Sequence, residues 1–72
     1  MAKHIELIEL GQRIRAIRLS KGLVQDEVAH RAKLSRSYFG DVERGSRNVS
    51  AMNLIRIAEA LDVNVGDLFP DS

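Results

Sequence analysis

The segment Gln25–Arg44, QDEVAHRAKLSRSYFGDVER, constrains this chain more than any other. Small and apolar residues stand at Val28, Ala29, Ala32, Leu34, Phe39 and Val42. That spacing lets two short helices cross through a tight turn. Ala29 marks the closest approach, where a larger side chain would push the helices apart. Leu34, Phe39 and Val42 fill the wedge between the pair and a preceding helix.

The flanks carry the same helical period, and only the brief VNV near the C-terminus alternates. Leu10, Ile14 and Ile17 share one face of a first helix over about Ile8–Ser20, which Gly22 ends in a left-handed residue. A second helix runs from Gln25 to Arg31, with Asp26 and Glu27 in the first turn, where the helix dipole favours acids. Ser35 caps a third helix that stops at Gly45. Ser50 caps a fourth over Ala51–Leu61, with Leu54, Ile57, Ala58 and Leu61 inward. Asn64 caps a last short turn, Val65–Phe69, closed by Pro70. The expected fold is all-α: a single domain over residues 1–72, core about 8–69, built as a compact bundle of five short helices.

A chain of 72 residues buries only about 60% of the surface its unfolded form exposes. It has no cysteine, so no disulfide or thiolate metal site supplements that core, and dimerisation is the remaining source of stability. No apolar run reaches the roughly 20 residues that span a bilayer. The opening MAKHIELIEL contains acids and lacks a small-residue cleavage site, so a cytoplasmic location is expected. Enzyme chemistry finds no footing. His4 and His30 lie far apart, and there is no thiol, glycine-rich phosphate loop or paired-carboxylate site. No cofactor, metal or small-molecule ligand is expected.

The formal net charge of +1 hides a segregation. Arg13–Arg47 holds nine Lys/Arg against four Asp/Glu, while the remainder holds two basic residues and six acidic ones. Basic charge gathered about a helix-turn-helix is the footprint that phosphate binding requires. The expected partner is double-stranded DNA, with the first turn of the third helix against base edges in the major groove. Ser35, Arg36 and Ser37 are therefore candidate base contacts. The planar fork of Arg36 suits guanine O6 and N7, or failing that a phosphate. Tyr38 reads either as a phosphate donor or as a half-buried packing residue. Asp41, one turn on, either accepts from cytosine N4 or faces away. Gln25 can grip a phosphate at the start of the second helix. Arg44, Ser46, Arg47 and Asn48 are candidate backbone clamps, with Arg47 also in reach of a base. Arg18 and Glu43 are expected to form a structural ion pair. Met52, Ile55, Val65, Leu68 and Phe69 form an apolar C-terminal patch suited to a two-fold homodimer, unless Leu68 and Phe69 only seal the monomer core.

These residues resemble the phage-repressor-type helix-turn-helix family (Cro/C1, also called XRE), through IRAIRLSKGL, QDEVAHRA, LSRSYFGDVERG and IAEALDVNVGDLF. Within it, SRSYFGDVERGSRNVS is most similar to the controller proteins of restriction–modification systems. The resemblance implies a five-helix, lambda-repressor-like homodimer that binds an operator as a dimer or pair of dimers and both activates and represses. It also implies base contacts from Arg36 and Ser37, backbone contacts from Gln25, Tyr38, Ser46, Arg47 and Asn48, and the Arg18–Glu43 pair. Two positions depart from the family pattern: Val24 stands where a Ser or Thr cap is usual, and Lys33 where Gly is usual. A general repressor, or an antitoxin-type regulator with a protein partner, is the competing expectation. The latter is disfavoured because only Asp71 and Ser72 follow Pro70.

Overall fold

A computed structural model describes residues 4–69. Four α-helices follow in order: α1 Ile5–Ser20, α2 Gln25–Arg31, α3 Arg36–Arg44 and α4 Ala51–Leu61. The fifth element is a single 3₁₀ turn, Val65–Leu68, rather than a full helix. That short run, with Gly66 inside it, offers little helical propensity. The turn is held instead by Asp67 Oδ2, which accepts the Asn64 N–H at 3.1 Å, and by Arg13 Nε, which donates to the Asp67 carbonyl at 2.9 Å. Pro70 lies outside the described residues.

α2, α3 and α4 begin and end where capping chemistry places them. The hydroxyls of Ser35 and Ser50 accept the N–H groups of Tyr38 and Asn53 at 3.0 and 3.1 Å. Val24 has no acceptor to offer α2, but Glu27 Oε1 takes the Val24 N–H at 3.4 Å. All four helices end alike. A left-handed residue (Gly22, Lys33, Gly45 or Asp62) is followed by an N–H that reaches back five residues, closing the Schellman bond. At Lys33 and Asp62 a side chain occupies φ near +60°, which costs on the order of 1 kcal/mol each.

The core sits where all four helices face inward. Ile14, Val28, Phe39, Ile57 and Leu61 are fully buried there, and Ala29 lies at the α2–α3 crossing with 2% exposure. α1 begins at Ile5, one turn earlier than its inward periodicity indicates. Just after that extra turn Ile8 lies on Gly45, where a Cβ would come within 2.5 Å of the Ile8 Cα. Gly11 is a second close approach. A Cβ there would lie 2.5 Å from the Glu43 carbonyl oxygen, so α1 lies directly on the backbone of α3.

Beneath that crossing the Arg18–Glu43 pair forms as expected. Arg18 Nε and Nη2 donate to the two carboxylate oxygens at 2.7 and 3.1 Å, and Nη1 donates to the Leu23 carbonyl at 2.9 Å. Both side chains are over nine-tenths buried.

Glu43→Gln leaves a buried, unpaired guanidinium and should cost about 3–5 kcal/mol, seen as a loss of well over about 10 °C in Tm. In a urea series, Gly11→Ala should destabilise by about 1–3 kcal/mol through overpacking. Lys33→Gly should instead gain up to about 1 kcal/mol.

Candidate nucleic-acid interface

The N-terminal turn of α3 stands clear of the core. Ser35, Arg36 and Ser37 are exposed, and the fully buried Phe39 one step further on anchors the helix. The helix thus presents its leading end outward while its other face holds it rigidly. Ser35 also caps the helix, so its remaining offer to a ligand is its own O–H. A shallow cleft of about 310 Å³ opens beside this turn, lined by Gln25, Arg36, Ser37, Gly40 and Arg44. The start of α2 and one face of α3 therefore form a single concave, polar surface. Gly40 leaves the floor low: the nearest atoms that a Cβ there would meet are Arg44 Nη1 at 3.4 Å, Arg44 Nη2 at 3.7 Å and Gln25 Oε1 at 3.8 Å.

Gln25, Arg36, Arg44 and Arg47 on this surface already have side-chain partners. Gln25 Nε2 donates to Glu43 Oε1 at 2.8 Å, which links the α2 terminus to the buried ion pair and leaves one amide N–H for a ligand. Arg36 pairs with Asp26 at 3.1 Å, both side chains about 70% exposed, so the pair is weak and easily exchanged. Tyr38 is the half-buried packing residue of its second reading, and its hydroxyl stays available for the first. Its ring packs on the core, and its hydroxyl accepts from Asn53 Nδ2 at 3.1 Å, leaving the O–H proton to donate outward. Ser46 bends the loop back: its N–H and hydroxyl both donate to the Asp41 carbonyl, at 3.0 and 3.2 Å. Its hydroxyl therefore shapes the loop in the free protein rather than pointing to a phosphate. Asn48 is exposed beside it.

Asp41 faces Arg44 and Arg47. Its Oδ1 pairs with Arg44 Nη2 and its Oδ2 with Arg47 Nη2 at 3.2 Å. The Arg47 guanidinium also lies over the Tyr38 ring, 5.1 Å from its centroid, a cation–π contact. Hydrogen bonds from Arg47 and then Arg44 hold the Asp41 carboxyl below its ordinary value of 3.8. Asp26, Asp41 and Asn53 are the participants that sequence reasoning missed or left without a role. Only the acid–base alternation along α3 and its loop hinted at Asp41.

The apolar patch is present with one correction. Met52, Ile55, Val65 and Phe69 are 39–56% exposed, but Leu68 is fully buried and seals the monomer core instead of lining an interface. Its 3₁₀ turn, pinned by Arg13, directs that side chain inward. Phe69 also borders an open apolar cleft of about 380 Å³, lined among others by Leu7, Leu10, Val49 and Leu54. Among the described residues, no cluster of His, Asp or Glu is arranged to hold a metal, and no helix is long and apolar enough to cross a membrane.

The helix-turn-helix family (HTH_3) matches residues 14–68. Control protein C.BamHI of Bacillus amyloliquefaciens is 45% identical over 69 residues, covering 94% of this chain and 84% of that one. The restriction–modification controller protein C.AhdI of Aeromonas hydrophila superposes with a TM-score of 0.90 at 47% identity, covering 92% of this chain and 100% of that one. The controller protein C.Esp1396I, solved as a tetramer with its natural 35 base-pair operator, superposes with a TM-score of 0.85 at 32% identity. There the coverage is 92% of this chain and 87% of the other.

The clamp predicts a titration. By NMR, Asp41 should protonate below the ordinary aspartate value of 3.8, and Arg44→Gln with Arg47→Gln should return it to that range. Because the folded value is the depressed one, the pairing contributes above the unfolded aspartate range and is lost as pH falls through the lowered value.

Proposed function

The chain belongs to the Cro/C1-type helix-turn-helix family of DNA-binding transcriptional regulators, and from that premise we propose that it is the controller of a restriction–modification system, binding a palindromic operator as a homodimer. The observation that carries this reading is the exposed leading turn of α3, set beside the α2 terminus on one polar cleft. In the proposed complex α3 lies in the major groove. Arg36 donates its paired N–H groups to guanine O6 and N7, exchanging Asp26 for a base, and Ser37 approaches the next pair. Ser35 offers its O–H at the same edge. Gln25, Tyr38, Arg44 and Asn48 hold phosphates on either side, and Arg47 reaches from the loop toward a phosphate or a base.

Symmetry comes from the opposite end. Met52, Ile55, Val65 and Phe69 form a patch that two copies bury against each other about a two-fold axis, which sets two α3 helices in successive major grooves. The one-turn 3₁₀ element is read as the reduced fifth helix of a lambda-repressor-like domain. A cytoplasmic location follows from the duplex it reads. The work assigned to this surface is recognition: transcription changes because the operator is occupied, and no covalent step is asked of the protein.

Binding-site selection from a random duplex pool should return a palindrome with half-sites about one helical turn apart. Affinity for it should fall steeply as salt rises. Arg36→Ala should flatten preference at one base position in each half-site, a loss of about 1–3 kcal/mol of discrimination, while binding to unrelated duplex stays nearly unchanged. Retention of full discrimination would remove Arg36 from the reading role. Light scattering at micromolar concentration should give a dimer, and Ile55→Glu with Phe69→Glu should give a monomer.

A further inference from the structure

Arg36, Arg44 and Arg47, the three arginines of the proposed interface, each have a carboxylate partner in the free protein. The two arrangements differ. Asp26 meets the Nε of Arg36 at 3.1 Å, between side chains that are both well exposed. Asp41 holds two arginines at once, one on each carboxylate oxygen, and is 25% exposed where its partners are 62% and 50%. It is the fixed inner member of the group, and the two guanidiniums are the outer arms.

We propose that Asp41 is a specificity-determining residue: its carboxylate occupies Arg44 and Arg47 in place of phosphate, so that a duplex gains both guanidiniums only where the rest of the interface fits well enough to displace it. The inference rests on the DNA-binding reading and deepens it. Both oxygens of Asp41 already accept from arginine, which leaves it poorly placed to accept from a cytosine amine as well. With Asp41 present the cluster carries one net positive charge instead of two. Non-specific binding is almost entirely a matter of phosphate neutralisation, so it loses most from that missing charge. Operator binding draws also on base contacts and loses less. Tyr38 gives Arg47 a second support, keeping its guanidinium beside the recognition helix when the carboxylate lets go.

Asp41→Asn tests this cleanly. It keeps the shape of the side chain and leaves untouched the Asp41 carbonyl that anchors Ser46. Binding is read by fluorescence anisotropy on the selected operator and on a scrambled duplex, across a salt series, with a thermal melt as the folding control. Scrambled-duplex affinity should rise about fivefold, the order of an exposed ion pair released from competition. The slope of log K against log salt should steepen by about 0.9, the increment of one further phosphate neutralised. The operator-to-scrambled ratio should fall. In an Arg44→Gln, Arg47→Gln background the same substitution should leave scrambled binding unchanged. If the Asn variant melts early, Asp41→Ser carries the same readout. Unchanged or weaker scrambled binding by a folded variant overturns the inference, as does a loss of preference confined to one base pair, which would make Asp41 a base reader. Failure of the unsubstituted protein to bind any duplex sinks the DNA-binding reading itself, a result distinct from both.

Discussion

Arg18 reaches from α1 to the end of α3, and its guanidinium grips both oxygens of Glu43 while also holding the Leu23 carbonyl. Glu43 in turn accepts from Gln25 at the head of α2. One buried charge pair therefore touches the scaffold helix, the loop before α2, the α2 terminus and the end of α3. In a domain this small such a pair adds little net stability over a well-packed apolar substitute, but removing either partner strands the other in the core. Its role is positional. Through Gln25, Glu43 ties the α2 terminus to α3, and the backbone contact at Gly11 seats α1 on the same end of that helix.

Much of this fold was legible in the chain, because its local signals and its tertiary needs agree. Ser35 and Ser50 capped the helices they were expected to cap, and Gly22 and Gly45 took left-handed conformations at helix ends. Leu10, Ile14 and Ile17 lay on one buried face. What escaped was set by contacts between distant segments. The first turn of α1 carries no inward periodicity of its own, and its place depends on Ile8 meeting Gly45. Gly11 carried no signal of its own, since nothing local shows that another backbone presses on it. Leu68 fell within an apolar run, and only the turn geometry decided that it points inward while Phe69 stays out.

At the candidate interface the sequence indicated which residues gather but not how they are occupied. Arg36, Ser37, Gln25 and Arg44 do line one cleft. Their free-state partners were hidden because an ion pair across helices depends on side-chain reach, not on spacing. Asp26 was legible as an acid suited to a helix start, and it is also the partner of the candidate reading arginine. Asp41 looked like a misfit beside phosphates until its two arginines were placed around it.

In the proposed complex the leading turn of α3, with the α2 terminus and the following loop, is the face that meets a duplex. Backbone amide shifts followed by NMR during titration with a short DNA duplex test it most directly. The account predicts that the largest changes fall on Gln25, Arg36, Ser37, Tyr38 and residues 46–48, with the middle of α1 nearly silent. Changes centred on the Met52–Phe69 patch, or none at low salt, would contradict it.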